Sequence, residues 1–278
     1  MGTWYTRRPK ILFGQTQMKL AVCISGAMGN SKRLRDNLKT NQDIIRNATY
    51  PYFEVDYFLA TWENTINTAL EPNFIYETPE MHYHPVMDTE PFPTYKHKVY
   101  KSMVVGDDPA YHSLKEKTLH RTKQILIHNY LIEEIEYDGY DMVIRLRYDS
   151  ILSDKINWKE LIMKSYWSKK AMGFAIRYKR WTDAHRLYDI PHIYNPEDKP
   201  KPNDGAEHSQ DWNYSINDHM IIHPMSLWST KRVHELHENK KLQVAEWGWY
   251  QVLGQPYGDN HHSYYGGVTL ERFYKYTI

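Results

Sequence analysis

The stretch on which the fold reading turns is Met142-Val143-Ile144-Arg145-Leu146-Arg147-Tyr148-Asp149-Ser150. Met142–Leu146 is short and apolar apart from Arg145, and a turn over Tyr137–Asp141, containing Gly139, precedes it. Such a run reads as a strand covered on both faces. Before it, Leu114–Glu136 places Leu119, Ile125, Leu126, Tyr130, Leu131 and Ile135 at three-to-four spacing, the stripe of an amphipathic helix. Working outward, the same grammar recurs. Met18–Gly26 carries the apolar run Leu20–Ile24 and ends in the glycine turn SGAMGN. A helix is expected over Ser31–Arg46, with Ser31 as N-cap and Leu34, Leu38, Ile44 and Ile45 inward. Phe53–Trp62 alternates and reads as a second strand. Downstream, Ile156–Ser165 reads as a helix, Met172–Ile176 and His219–His223 as strands, and Ser226–Lys240 and Val244–Leu253 as helices. Residues 63–112, with six prolines, and 181–215, with Pro191, Pro196, Pro200 and Pro202, read as irregular excursions. The tail, 254–278, is rich in Gly, His and Tyr.

Strands separated by helices imply an α/β fold, a mostly parallel Rossmann-type sheet with helices on both faces. Residues 1–17 read as an N-terminal extension and 18–278 as one domain. Ligands of such sheets bind beyond the carboxyl ends of the strands. That directs attention to Ser25–Asn30, Thr61–Asn64, Arg145–Ser150 and the region after residue 223.

Composition narrows the function classes. Of 278 residues, 41% are hydrophobic and the formal net charge is +1, which excludes a disordered chain and removes the argument for a globally basic nucleic-acid binder. The single cysteine excludes a disulfide framework and any thiolate-only metal site. Cys23 sits mid-strand among apolar residues, where a thiol is usually inert. No apolar run approaches the roughly 20 residues of a membrane span, and no apolar stretch follows Arg7, Arg8 and Lys10 to make a signal peptide. The expectation is a cytoplasmic protein.

At the expected strand ends, the GxxG spacing of Gly26 and Gly29 would let a phosphate approach the backbone before a helix N-terminus, although it also suits an ordinary turn. It is neither a Rossmann nor a Walker loop. Arg145, Arg147 and Asp149 alternate onto one face if the strand runs that far. Two guanidiniums and a carboxylate there suit a phosphate-bearing ligand and a divalent cation; a structural ion pair is the plainer alternative. His223, His261 and His262 are candidate metal ligands to Asp149, His261 foremost, though no HExxH string is present. GxSxG is absent too, which argues against an α/β-hydrolase. Between Lys164 and Arg186, seven Lys/Arg face one acid, Asp183, with Tyr166, Trp167, Tyr178 and Trp181 interleaved. Such a segment can track phosphates and stack on bases or sugars, or be a solvated face with its rings turned inward.

Taken in order, Ser25-Gly26, Asp56–Trp62, Gln124 in the long helix, Arg145–Asp149 and Asp218-His219-Met220-Ile221 resemble a pattern found in small GT-A-like glycosyltransferases of bacterial polysaccharide clusters and large tailed phages. The resemblance spans roughly residues 18–255. It implies a nucleotide-sugar donor, UDP-linked, bordered by Ser25, Gly26, Thr61, Trp62 and Gln124. It also implies a divalent cation, Mn or Mg, on Asp149. This chain departs from the usual Asp-x-Asp, because Arg147 holds the place of the first carboxylate, so Arg145 and Arg147 could share the charge neutralisation. Asp218, Glu246 and Asp211 are candidates for the base that takes the acceptor proton. Asp149→Ala is expected to abolish transfer without disturbing folding. For the acceptor, Lys179, Arg180, Trp181 and Arg186 favour a 5-hydroxymethylcytosine base in phage DNA, with a surface glycan as the alternative. A non-catalytic nucleotide-sugar-binding protein and a metal-dependent nuclease are the rival readings.

Overall fold

Met18–Gly26 forms the central strand β1, and Leu20 to Gly26 are buried throughout, as a strand with a layer on either side requires. The computed structural model describes residues 17–28, 33–62, 82–84, 95–100, 116–175, 192–193, 216, 218–239, 241–243, 245–258, 261–265 and 267–270. After β1 come α1 (Leu34–Thr49), β2 (Phe53–Trp62), β3 (His82–His84), β4 (Tyr95–Tyr100), α2 (Glu116–Ile135), β5 (Met142–Leu146) and β6 (Ser150–Leu152). Next are α3 (Trp158–Ser168), β7 (Ala171–Ala175), β8 (His192–Ile193), β9 (Met220–Pro224), α4 (Thr230–Glu238), α5 (Ala245–Leu253), β10 (His261–Tyr265) and β11 (Val268–Leu270).

The chain is mixed α/β, a central sheet flanked by helices. The sheet order is β3-β4-β2-β1-β5-β9-β7-β10-β8, and β6 and β11 form a separate pair. β1, β2, β4, β5, β7 and β10 point one way, while β3, β8 and β9 run against them. β1 supplies Leu20, Val22 and Ile24 to one core with Leu34, Leu38 and Ile45 of α1 and Trp158 and Ile162 of α3. Its alternate residues Ala21 and Cys23 face a second core built by Ile125, Leu126 and Leu131 of α2, Val233 of α4 and Trp249 and Leu253 of α5. Burial pushes the Cys23 thiol well above its ordinary value, which keeps it protonated and inert.

The sequence reading differs from the structure where the hydrophobic period fades. β3 and β4 lie inside the expected excursion 63–112 and extend the sheet beyond β2. β10 and β11 lie in the Gly/His/Tyr-rich tail, held by β7 and β6. The expected helix Ser226–Lys240 divides into a 3-10 turn, Met225–Leu227, and α4, whose N-cap Ser229 accepts from the Arg232 N–H at 3.3 Å. α1 begins at Leu34 after Arg33, and the proposed cap Ser31 lies outside the described residues, as does the extension before Gln17. Among the described residues, no helix is long and apolar enough to cross a membrane.

α5 seats against α2 through Gly248. A Cβ added there would collide with Ile125 and approach the Gln243 carbonyl oxygen to 2.5 Å. Gly248→Val is therefore expected to push α5 off α2 and destabilise the fold by about 1–3 kcal/mol, read as a lower denaturant midpoint. An unchanged midpoint would mean that the helices separate freely.

Candidate active site

The reversal of β9 creates the site. β5 ends at Leu146 opposite Met220, so the residues following β5 and those preceding β9 meet at one edge. β5 does not run on to Asp149, as strict alternation would need. Residues 147–150 form a turn instead, closed by the Ser150 N–H donating to Arg147 O at 3.1 Å. The Arg147 N–H donates to Ser150 Oγ at 3.3 Å, and the Ser150 hydroxyl donates to His219 O at 2.8 Å, fastening this turn to the lead-in of β9. Asn41 of α1 secures the far side: its Nδ2 donates to Ser150 O at 2.8 Å and its Oδ1 accepts the Leu152 N–H at 2.9 Å.

Within this frame Arg147 and Asp149 form a two-pronged ion pair, Nε to Oδ1 at 2.8 Å and Nη2 to Oδ2 at 3.0 Å. Both are largely buried, with 17% and 6% of their side chains exposed. Burial pulls the Arg147 value down, but the Asp149 charge, then Asp218, the Asp149 hydrogen bonds and Glu246, outweigh it and raise it overall. Asp149→Ala would strand this guanidinium, so the expectation that folding survives it untouched is revised. Arg145 is different again. It is fully buried, donates to the Asp218 backbone carbonyl and, through Nη2, to Gln124 Oε1 at 3.0 Å, and lies 5.1 Å over the Trp249 ring. Burial lowers it to about 10, with Arg147 adding to the fall and Asp218 and Asp149 opposing it, so it stays charged at neutral pH. Arg145 thus cannot touch a ligand in this arrangement; it positions Asp218 and Gln124. Glu246 sits partly buried in the first turn of α5, and its backbone carbonyl accepts from the Ile216 N–H at 3.0 Å.

The adjoining edge is formed by β1 and β2. Thr61 Oγ1 donates to Gly26 O at 2.9 Å and accepts from the Met28 N–H at 3.4 Å. Gly26 has φ +130°, which favours glycine over any L side chain. Ser25 is buried, and its hydroxyl has no hydrogen-bond partner among the described residues. Trp62 departs from expectation: it is buried in the second core with an edge-on contact to Tyr130 at 6.4 Å, so it builds the wall rather than the lining.

The histidines do not join Asp149. His261 pairs with Ala171 at the start of β7 and packs on Tyr250 at 5.3 Å, whereas Asp218 bridges Phe174, three residues further along, or about 10 Å away at strand rise. His262 pairs with Met172 beside it. His223 is interior, stacked on Trp228 at 5.7 Å and edge-on to His128 at 6.0 Å. Among the described residues no group of three or more His, Cys, Asp or Glu could hold a metal ion. Asp149 gives both oxygens to Arg147. The donor set does not fit a carboxylate cation cage.

Burial lowers His223 from 6.5 to about 4, and lowers His128 as well. The unfolded chain takes up the His223 proton below 6.5, while the fold resists it until about 4. Stability is therefore full above pH 6.5 and is lost as pH falls toward 4, by about 3 kcal/mol for His223. His223→Phe should flatten that part of a stability–pH profile; an equally steep fall in the variant would assign it elsewhere.

Lys179, Arg180, Trp181, Arg186 and Asp211 lie outside the described residues. The described start of the basic segment, with Trp167 73% exposed and Lys169 4.4 Å over Tyr166, is at the opposite edge from Asp149, where α3 feeds β7. β7 itself ends at Ala175 on the site's edge. Trp249 was not singled out in the sequence and lies beside the site, and Ser150 was named only as the end of its segment. Trp249 lies three positions after Glu246, a spacing that places them on one helix side, and Ser150 directly follows Asp149.

No protein-family model and no curated protein sequence matches the chain. Among solved structures, one described as a Bacillus anthracis glucose-1-phosphate thymidylyltransferase in complex with sucrose is similar at TM-score 0.44 and 11% identity, covering 91% of this chain and 89% of that one. Mouse xyloside xylosyltransferase 1 gives 0.39 and 12%, covering 89% and 85%. Residues 1–349 of S. aureus TarS give 0.38 and 8%, covering 90% of this chain and 60% of that one. Likeness at this level says nothing of a donor, an acceptor or any residue's role.

Proposed function

We propose that the chain is a GT-A-like glycosyltransferase that moves a sugar from a UDP-linked donor to an acceptor hydroxyl. The observation that carries this reading is the convergence, at the carboxyl ends of β1 and β5, of Gln124, Arg145, Arg147, Asp149, Asp218 and Glu246 from four separate parts of the chain. Arg147 faces the diphosphate. In the reaction, the acceptor oxygen bonds to the anomeric carbon as the bond from that carbon to the diphosphate oxygen breaks. The electron pair leaves with the diphosphate, and the acceptor proton passes to Glu246, the more exposed of the two described candidate carboxylates.

For the acceptor, the reading is a 5-hydroxymethylcytosine base in DNA. It is supported by the order of the chain, since the basic, aromatic residues Lys179, Arg180, Trp181 and Arg186 follow directly from β7's end at the site. Incubation with a panel of UDP-sugars, alone, with hydroxymethylated DNA and with unmodified DNA, tests both levels. UDP release that rises only with hydroxymethylated DNA, and falls with salt, is the expected outcome. Release that responds to a glycan and to neither DNA would move the acceptor to the glycan class. No release with any UDP-sugar or acceptor would leave a binding protein.

A further inference from the structure

We propose that the sheet edge opposite the candidate site docks a second copy of this chain. The two copies pair about a twofold axis, so that the α3 end of each meets the α2 end of the other. The proposal does not depend on the glycosyltransferase reading.

Among the described residues the exposed large apolar side chains are Tyr50, Tyr137, Trp167 and Trp247, and the first three share this edge. Tyr50 precedes β2, Tyr137 precedes β5 and Trp167 precedes β7. These strands start together. Phe53 pairs with Met18 and Met142 with Leu20 on β1, while Ile144 and Met172 both pair with Ile222. Trp167 is 73% and Tyr137 90% exposed. Large rings left in water along one edge mark an interaction surface, and Trp and Tyr are frequent anchors of one.

Charge along the edge is divided. From Trp158 to Ala171, α3 and its exit carry Lys159, Lys164, Lys169 and Lys170 against Glu160. Lys159 lies 3.9 Å over Tyr52, and Lys169 lies 4.4 Å over Tyr166, whose ring is edge-on to Trp167 at 5.0 Å. The end of α2 and the turn after it carry Glu133, Glu134, Glu136, Asp138 and Asp141, with no Lys or Arg between Glu133 and Asp141. His234 pairs with Glu133, and Lys19 Nζ donates to the Asp138 carbonyl at 3.4 Å. Carboxylates are unfavourable at a helix C-terminus, where the backbone dipole is negative, and the last turn of α2 has no basic residue to offset them. Cations brought from outside relieve that repulsion. α2 packs into the second core and α3 into the first, so the acidic and basic ends lie on opposite faces of the sheet. A twofold axis within the edge, running along the width of the sheet, sets the lysines of each copy on the carboxylates of the other, with Trp167 and Tyr137 enclosed. The same division disfavours an anionic bilayer or a nucleic acid, which would meet the α2 carboxylates with like charge. The candidate sites lie at the far edges of such a pair and stay open.

The test is the mass of the chain in solution, by sedimentation or light scattering, across a salt series. The wild type should be a dimer at micromolar concentration in low salt, with an affinity that weakens as salt rises. Trp167→Ser should weaken it about tenfold or more. Lys164→Glu with Lys169→Glu makes both ends acidic, and Glu134→Lys with Asp138→Lys makes both basic, so each double variant should be monomeric by itself. Mixed in equal amounts, the two should recover a dimer. A monomeric wild type, a dimer unmoved by both reversals, or reversed variants that stay monomeric when mixed would each overturn the proposal. A monomeric wild type that binds phosphatidylserine vesicles would overturn it in favour of a membrane surface. The four reversed residues are exposed. Should either double variant fail to fold, Lys164→Gln with Lys169→Gln is expected to weaken the wild-type dimer about tenfold, and an unchanged affinity there overturns the proposal.

Discussion

Arg145→Ala is expected to cost about 3–5 kcal/mol of stability, the largest single-residue effect in this fold. Its guanidinium is fully buried between β5 and α5 and satisfies two acceptors, Gln124 Oε1 on α2 and the Asp218 carbonyl before β9. It also lies 5.1 Å over the Trp249 ring. Truncation would leave both acceptors without this donor and a void under Trp249, each of which is costly in a low-dielectric interior. Arg145→Met restores most of the volume but none of the donors, so it should fall between wild type and Arg145→Ala. The reading is a denaturant midpoint at unchanged slope. A loss of less than about 1 kcal/mol in Arg145→Ala would mean that these bonds are dispensable.

Glu246→Gln is expected to lower kcat by about 10²–10⁴-fold while leaving KM for the donor and the unfolding midpoint close to wild type. The amide keeps the shape of the first turn of α5 but cannot accept a proton. Asp218→Asn is the control. Its backbone carbonyl, which receives Arg145, is untouched by the change, so a structural role alone would survive it. If Asp218→Asn loses the rate and Glu246→Gln keeps it, the base is Asp218. If both keep it, neither carboxylate takes the proton.

Legibility in the sequence followed the physics of burial. β1 and β5 could be read because a strand covered on both faces must be nearly all apolar, as Leu20–Ile24 is throughout and Met142–Leu146 is apart from Arg145. Arg145 was conspicuous for the same reason: a charge inside such a run has to be satisfied by something. Whether it faces a ligand or the interior depends on what α2 and α5 bring over it, and Gln124 and Trp249 are distant in sequence. β4 and β10, with YKHKVY and HHSYY, have no apolar period of their own; pairing with β2 and β7 makes them strands. His261 lies away from Asp149, and composition could not show which end of a strand it occupies. Trp62 packs in the second core, and alternation gives two faces without saying which one the site uses.

The short junction at Phe174 and Asp218 has a consequence for how such a chain can diversify. Phe174 bridges Asp218, and the His219 N–H donates to Phe174 O at 3.0 Å, so the ends of the chain between β7 and β9 are held side by side, while β8 within it pairs with β10. The entropy of closing a loop grows only logarithmically with its length, so each doubling costs about 0.6 kcal/mol. Changes of length on either side of β8 therefore leave the Phe174–Asp218 junction to hold the two ends. The residues that would read an acceptor can be rewritten across generations while Arg145, Arg147, Asp149 and Asp218 keep their registration.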